Sequence, residues 1–428
     1  MADNNPLDNT TDIAIIGAGM VGASLVHLLK PAIDQGTKVT LIERQELRWD
    51  GDFASRPPSF DGRATALSYS TQTILDKIGV WSTLADRACP IQHVQVSDQG
   101  HFGQTHLHAE EQGTEALGYI VENSVIGQGL LAGLDQANID IHAPAQVQQV
   151  QMNAEGALLT FTDGATLQTK LLVLADGARS GLAGQLGIRH SKQDYGTHAL
   201  VTQVKVNRSH NHWAYERFSQ YGPIAFLPLN EQDYVVVWAV PNDEIEHIKA
   251  MPDNDFLAHL QQQVGDRIGT LVKVGTRASY PLSLIISNEQ VRRSLVLLGN
   301  AAHGLHPVAG QGFNLALRDT AVLAEHLNRA IAAGKSPGDL EVLMAYQQQQ
   351  SADQRNTILL SDLLPKVFGS QQLTVRLLRN LGLIAMSAAP TVRKLFARHA
   401  MGLGHRAARV DNVEKTNTTL RYYFTAPP

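Results

Sequence analysis

The sequence predicts an α/β fold: a Rossmann-like domain of buried parallel strands, an antiparallel sheet inserted into it, and a C-terminal helical segment. Three observations predict this. Within the first 43 residues a short apolar strand runs straight into a glycine turn that opens a helix. Between about residues 195 and 285 the pattern changes to antiparallel-type strands. At Leu295–Leu298 the all-apolar strand pattern returns, and another glycine turn opens a second helix. Parallel strands read as continuous apolar runs because helices cover both their faces, whereas strands with one wet face alternate.

The elements follow in order. Asp12–Ile16 is the first strand, Met20–Leu29 the first helix, and Val39–Ile42 a buried strand that closes at Glu43. This is one βαβ unit, whose crossover is expected to be right-handed. Leu158–Phe161 and Thr166–Thr169 flank Asp163-Gly164, a hairpin signal. Leu171–Ala175 then reads as a fully apolar strand ending at Asp176-Gly177. In the inserted region Ile224–Leu229 and Tyr234–Val240 are joined by Asn230–Asp233. Gly310-Gln311-Gly312 opens a helix expected to run to about Ala333, with Gly334 as its stop. From Lys366 to Arg409 eight basic residues and no acidic ones interleave with Leu and Ile at near-helical spacing (Lys366, Arg376, Arg379, Arg393, Lys394, Arg398, Arg406, Arg409).

Bulk properties narrow the classes. A chain of 428 residues exceeds the size of one ordinary core, leaving room for a deep pocket. A net charge of −5 offers no general attraction for nucleic acid, so none is expected as a partner. Cys89 is the only cysteine, which excludes an intramolecular disulfide or a multi-thiolate zinc cluster and favours a reducing compartment. The N-terminus lacks the basic and apolar stretches of a secretory signal, and no run reaches bilayer-spanning length. A cytoplasmic location is expected.

Gly17-x-Gly19-x-x-Gly22 sits where dinucleotide binding requires it: after a strand, opening a helix, with an acid closing the next strand. Gly17 permits the tight turn, Gly19 removes the side chain that would block a pyrophosphate, and Gly22 lets helix and sheet pack closely. The helix N-terminus then offers free N–H groups and the positive end of its dipole to the phosphates. Glu43 can accept hydrogen bonds from ribose hydroxyls. Gly127-x-Gly129-x-x-Ala132 imitates the spacing, but Asn123 or Ser124 reads as a helix cap, which puts these glycines inside a helix rather than at its mouth.

With this turn, Asp176-Gly177-Ala178-Arg179-Ser180 and Gly299-Asn300-Ala301-Ala302-His303, the chain resembles the class A flavoprotein monooxygenases, the para-hydroxybenzoate hydroxylase fold group. Phe60–Ala64, Glu216-Arg217-Phe218, Tyr221-Gly222-Pro223 and His306–Asn314 narrow the resemblance to its 2-polyprenyl-6-methoxyphenol hydroxylase branch. The resemblance covers nearly the whole chain and weakens after about residue 365. It implies that Gly17, Gly19, Gly22 and Glu43 bind the ADP half of FAD and that Arg63 and Gln128 reach the cofactor. Asp176 and Gly177 match a motif tied to FAD and reduced-nicotinamide use. Asn300 stands where most relatives carry an aspartate near the ribityl-pyrophosphate, so it brings no charge there. Pro307, Gly310, Gln311, Gly312, Phe313 and Asn314 are expected near the flavin ring, where a helix N-terminus would stabilise the charge of the reduced cofactor.

The implied activity is NAD(P)H- and O2-dependent hydroxylation of the aromatic ring of a polyprenylated phenol, through a flavin hydroperoxide, on the way to ubiquinone. Pattern and resemblance together divide the chain into an FAD-binding domain (1–75, 105–185 and 286–360), a substrate domain (76–104 and 186–285) and a C-terminal helical segment (361–428). The basic C-terminal segment suggests peripheral contact with the inner face of a membrane, or docking to other enzymes of the pathway. A flavin halogenase is disfavoured because Trp49, Trp81, Trp213 and Trp238 form no Trp-x-Trp-x-Ile signature. A plain dehydrogenase remains an alternative, with one cysteine excluding a disulfide reductase, as does a non-catalytic FAD-fold carrier of prenylated cargo. His303 and His306 lack a third ligand, so no metal is expected. Tyr221, Trp238 and Tyr280 are candidates for the substrate cavity or for sheet core.

Overall fold

A computed structural model describes residues 10–47, 63–99, 104–178, 181–219, 221–305, 310–369 and 389–403. Arg179, Ser180, His306 and Pro307 therefore lie outside the described residues, as do four of the eight basic residues, Arg376, Arg379, Arg406 and Arg409. The first strand, Thr10–Ile16, is central in an eight-stranded sheet. It pairs in parallel with Val39–Ile42 on one side and Thr166–Leu174 on the other. Leu295–Leu297 extends that parallel set beyond Thr166–Leu174. Ile13, Ile15, Leu41, Leu171 and Val173 are all fully buried or nearly so, as expected for strands covered by helices on both faces.

The hairpin forms at Asp163-Gly164, with Gly156–Phe161 antiparallel to Thr166–Leu174. The two strands expected at 166–169 and 171–175 are one continuous strand, its first half in the hairpin and its second in the parallel core.

The second sheet has nine strands and runs from His303–Gly304 through Ala278–Ser287, His190–Val206, Asp233–Pro241, Gly222–Pro228 and Trp213–Ser219 to His93–Asp98 and Gln104–His108. One pairing in this series is parallel, between His93–Asp98 and Trp213–Ser219. The domain boundary expected at 104/105 is corrected by this sheet, because Gln104–His108 pairs with His93–Asp98 inside it. Helix Asp253–Val264 covers one face, burying Phe256, Leu257 and Leu260 against Val204, Val206 and Trp238. A third, three-stranded sheet joins Ala64–Ser68, Gly118–Glu122 and Cys89–Ile91 and packs against the opposite face.

Helix Gln311–Ala332 starts at Gly310 and ends before Gly334, whose φ of +72° and N–H bond to Ile331 O (2.8 Å) form the glycine stop expected there. Helix Leu340–Gly369 runs through the boundary expected at 360/361, so no break separates the FAD-domain end from the C-terminal segment. Helix Pro390–Ala400 docks by Ala397 and Met401 against Leu107 and Leu117, held by a two-point Arg393–Glu111 ion pair (2.8 and 3.0 Å). No helix among the described residues is long and apolar enough to cross a membrane.

Candidate active site

The opening glycine turn is a place where side chains do not fit. Gly17 has φ +104°, and a Cβ there would lie 2.6 Å from the carbonyl oxygen of Ala175. A Cβ on Gly22 would meet the carbonyl oxygen of Gly17 at 1.9 Å. Gly19 is different. Its φ of −67° and ψ of −175° suit any residue, so its missing side chain serves the space outside the turn and not the backbone conformation. Gly19 is also the N-cap of helix Met20–Leu28 and supplies no side-chain cap, so this helix start keeps N–H donors for an anion.

Glu43 closes the turn from the next strand: its Oε2 accepts the N–H of Ala18 (2.9 Å) and its Oε1 that of Gln45 (3.1 Å). Each oxygen retains a further lone pair for a ribose hydroxyl. The second and third motifs converge here. Ala175 N donates to Ile16 O (2.8 Å), placing Asp176 and Gly177 beside Gly17. Gly299, at φ +59°, would press a Cβ to 3.0 Å from Val21 of the first helix, which brings the exposed Asn300 to the same rim.

The second helix start is built in the same way. Gly310, at φ +63°, N-caps helix Gln311–Ala332 without a side-chain cap, and its Cβ position lies 3.0 Å from Ala66 Cβ and 3.2 Å from Ala66 O. Asn314 fixes this approach. Its Oδ1 accepts from Ser68 N (2.9 Å) and Thr71 Oγ1 (2.8 Å), and its Nδ2 donates to Ala66 O (2.8 Å) and Gly310 O (2.9 Å). Two acceptor sites and two N–H groups are all consumed, so the side chain fixes the helix start against strand Ala64–Ser68. Gln311 reaches Ala400 O of the docked C-terminal helix (3.4 Å), while Gly312 has open space at its Cβ position. Phe313 packs on the main core.

Arg63 leads into strand Ala64–Ser68 and lies 4.7 Å from the centre of the Tyr280 ring, a cation–π contact. Its carbonyl oxygen accepts the N–H of Asn123 (2.7 Å), and so aligns helix Asn123–Ala132, on which Gln128 is exposed. Gly129, on the same helix, packs against Thr83 and Leu84, the structural role expected for the imitation motif.

Ala64 and Ala66 pack against the inner face of the large sheet, with Ala214, Val235, Val94, Val201 and Leu227. Glu216 belongs to that face, in register with Val96, Ala225 and, across one more strand, Val237. The residue as a whole is half-buried, with part of its carboxyl drawn into the protein. Its Oε1 is buried without a hydrogen-bond partner. Burial alone pushes its pKa up to about 7. Arg217, the next residue, points to the opposite face by strand alternation, and Phe218 returns inward against Val96. Sequence reading found Glu216 only as part of a motif, because burial of a single acid leaves no local signature.

Other candidates are resolved by their partners. His303 Nε2 bonds Asp319 Oδ2 (2.7 Å), and Asp319 also accepts from Gln350 and Gln354 (2.6 and 3.0 Å), tying the strand before the 306–309 segment to two helices. Ligand atoms of Cys89, His210 and His212 lie within 4.8 Å of one another. However, His210 Nδ1 accepts the N–H of His212 (3.0 Å), which leaves a neutral imidazole no lone pair for a cation, and burial pushes the Cys89 thiol up to about 11. Trp238 is core beneath helix Asp253–Val264, and Tyr221 is exposed. A groove of ≈1010 Å³ between strand Ala278–Ser287 and helix Leu340–Gly369 is lined by Leu284, Ile286, Met344 and Ile358, apart from the residues expected to bind FAD.

A family profile described as "FAD binding domain" matches residues 10–358. The chain belongs to the FAD binding domain family. The bare helix starts and close glycine contacts fit FAD: one start faces the strand-end acid that suits a ribose, and the other stands against strand Ala64–Ser68, which follows Arg63. Among curated proteins, ubiquinone hydroxylase UbiL of Rhodospirillum rubrum is 36% identical over 92% of this chain and 90% of its own length. The 3-demethoxyubiquinol 3-hydroxylase of Escherichia coli is 29% identical over 92% of this chain and 99% of its own. The solved p-nitrophenol 4-monooxygenase PnpA of Pseudomonas putida shares the fold, with a TM-score of 0.74 over 93% of this chain and 99% of its own at 18% identity.

Proposed function

We propose that the chain is an FAD-dependent monooxygenase that hydroxylates the aromatic ring of a polyprenylated phenol in ubiquinone biosynthesis, using NAD(P)H and O2. The observation that carries this reading is the apolar sheet face that holds Glu216. An apolar face that also carries Glu216 packs on strand Ala64–Ser68, whose Ala66 meets the uncapped helix start at Gly310. Relatives named as ubiquinone hydroxylases over nine-tenths of the chain support the substrate class. Bound FAD supplies the oxidation chemistry, accepting hydride from NAD(P)H and activating O2. The chain's own residues do the rest. Gly17, Gly19 and Gly22 admit the pyrophosphate, Glu43 takes the ribose, and the N–H groups after Gly310 favour negative charge on the flavin pyrimidine. The aliphatic face of Val94, Val201, Leu227 and Val235 excludes water and receives the ring.

The purified holoenzyme is expected to be yellow, to oxidise NAD(P)H faster when a 2-alkyl-6-methoxyphenol is added, and to return that phenol with one added oxygen by mass spectrometry. Protein that stays colourless with FAD and oxidises no reduced nicotinamide would instead fit a carrier of prenylated cargo.

Peripheral membrane contact belongs to the same reading. On helix Pro390–Ala400 the inward anchors Ala397 and Met401 leave Val392 and Leu395 50% and 70% exposed, beside the exposed Lys394 and Arg398. Apolar side chains flanked by cations suit an anionic bilayer surface, whereas Arg393 is spent on Glu111 and Lys366 on Asp362. Leu395→Glu is expected to cut flotation with phosphatidylglycerol-containing liposomes by about tenfold, from the lost apolar insertion and added repulsion. Equal flotation of both proteins would reject the contact.

A further inference from the structure

Glu216 is a buried acid that the cofactor chemistry does not use. It sits in the middle of the sheet face that fronts strand Ala64–Ser68, between Val96 and Ala225, with Oε1 buried and unpartnered. Leaving a carboxyl among aliphatic side chains is costly in a purely structural role, and a glutamine or leucine would fill the position at less cost. A buried acceptor without a partner points to a ligand that brings the missing donor.

We propose that Glu216 is a catalytic residue that accepts the hydroxyl proton of the phenolic substrate as its ring is oxidised, an inference that rests on the function proposed above. The phenol O–H bond breaks and an O–H bond forms on the Glu216 carboxylate. The electron pair stays on the phenolic oxygen and is delocalised into the ring, raising electron density at the carbons ortho and para to it, where electrophilic oxygen is received. No other reactant is needed for this step. An enzyme working near neutral pH gains most from a base that titrates close to that pH, and enclosure by Val96, Ala225 and Val237 gives Glu216 that property without a charged neighbour.

Among the described residues, the ionisable groups on elements packed around this face include Asp98, Tyr280, Arg63, Cys89, Asp362 and Lys366. Asp362 is engaged by Tyr195 and Lys366, Arg63 lies over Tyr280, and the Cys89 thiol is held neutral by burial. None contributes to the Glu216 shift, which has burial as its single cause.

The experiment compares wild-type and Glu216→Gln holoenzymes with a 2-alkyl-6-methoxyphenol and with its ring-fluorinated, more acidic analogue. In the wild type, kcat/KM for the methoxyphenol is expected to rise through an ionisation near pH 7. Glu216→Gln should keep its FAD and its substrate-stimulated NAD(P)H oxidation, but lose that ionisation. It should also form product about 100-fold more slowly, diverting the oxidation to hydrogen peroxide. The fluorinated phenol, which enters already ionised, should recover most of the lost product. A second readout is independent of turnover. A carboxyl whose pKa is raised by folding contributes stability at low pH that is lost as pH rises through the folded value. The Tm advantage of Glu216→Gln over wild type should therefore widen from pH 6 to pH 8. Unchanged product formation, an unchanged pH profile, equal defects on both phenols or a constant Tm difference would each overturn the assignment. A wild-type enzyme that hydroxylates neither phenol overturns the function proposed above, and Glu216 with it.

Discussion

Gly19→Val protein is expected to fold and to purify colourless. The substitution is compatible with the backbone, since φ −67° and ψ −175° lie in the extended region that valine favours. The cost falls on the ligand. An isopropyl group at the N-cap of helix Met20–Leu28 occupies the place where a pyrophosphate must approach bare main chain, and so separates the phosphates from the N–H groups of the first turn. Losing two such charge-assisted hydrogen bonds removes on the order of 3 kcal/mol, about 100-fold in Kd, before steric exclusion is counted. Absorbance at 450 nm after gel filtration and circular dichroism on the same sample check both halves of the expectation. Gly22→Ala is the contrasting control. Its methyl group would meet the Gly17 carbonyl at 1.9 Å, a backbone clash that should prevent the domain from folding rather than merely empty it. A Gly19→Val protein that retains FAD would show that the diphosphate does not lie on this turn.

Asn314→Ala is expected to lower both stability and flavin affinity. Four hydrogen bonds join this side chain to Ala66, Ser68, Thr71 and Gly310, in surroundings where Ser68 and Thr71 are themselves buried. At about 1 kcal/mol each, and with partners left unpaired, the loss should come to roughly 3–4 kcal/mol, read as a shift of the urea midpoint. Freed from strand Ala64–Ser68, the Gly310 turn should also hold the flavin less well, by about tenfold in Kd. Asn314→Asp separates the two effects, since it keeps both acceptor bonds but turns the donors to Ala66 O and Gly310 O into repulsive oxygen contacts. Full stability in Asn314→Ala would contradict the hydrogen-bond pattern.

Local chemistry made much of this architecture legible. Gly17, the hairpin at Asp163-Gly164 and the stop at Gly334 are each dictated within a few residues, and the structure has them where turn and cap rules put them. The boundaries at 104/105 and 360/361 failed for a physical reason. Strand His93–Asp98 finds its partner in Trp213–Ser219, more than a hundred residues later, and nothing near residue 104 announces that pairing. Helix Leu340–Gly369 carries no glycine or proline stop at residue 360, so nothing in the chain breaks it there. Site residues divide in the same way. Glycines at helix mouths can be read from the chain, whereas Asn314 and Glu216 owe their roles to what surrounds them in space.

The neighbours Glu216 and Arg217 show how narrowly strand Trp213–Ser219 must be threaded. Pleating sends the acid to the enclosed side and the guanidinium to the other, so inserting one residue in the turn before Gly222 and shifting the ladder by a single step would exchange them. The inner face would then hold a permanent cation that cannot take up a proton. Loop-length changes on either side of this strand are therefore tolerable only where they preserve its parity.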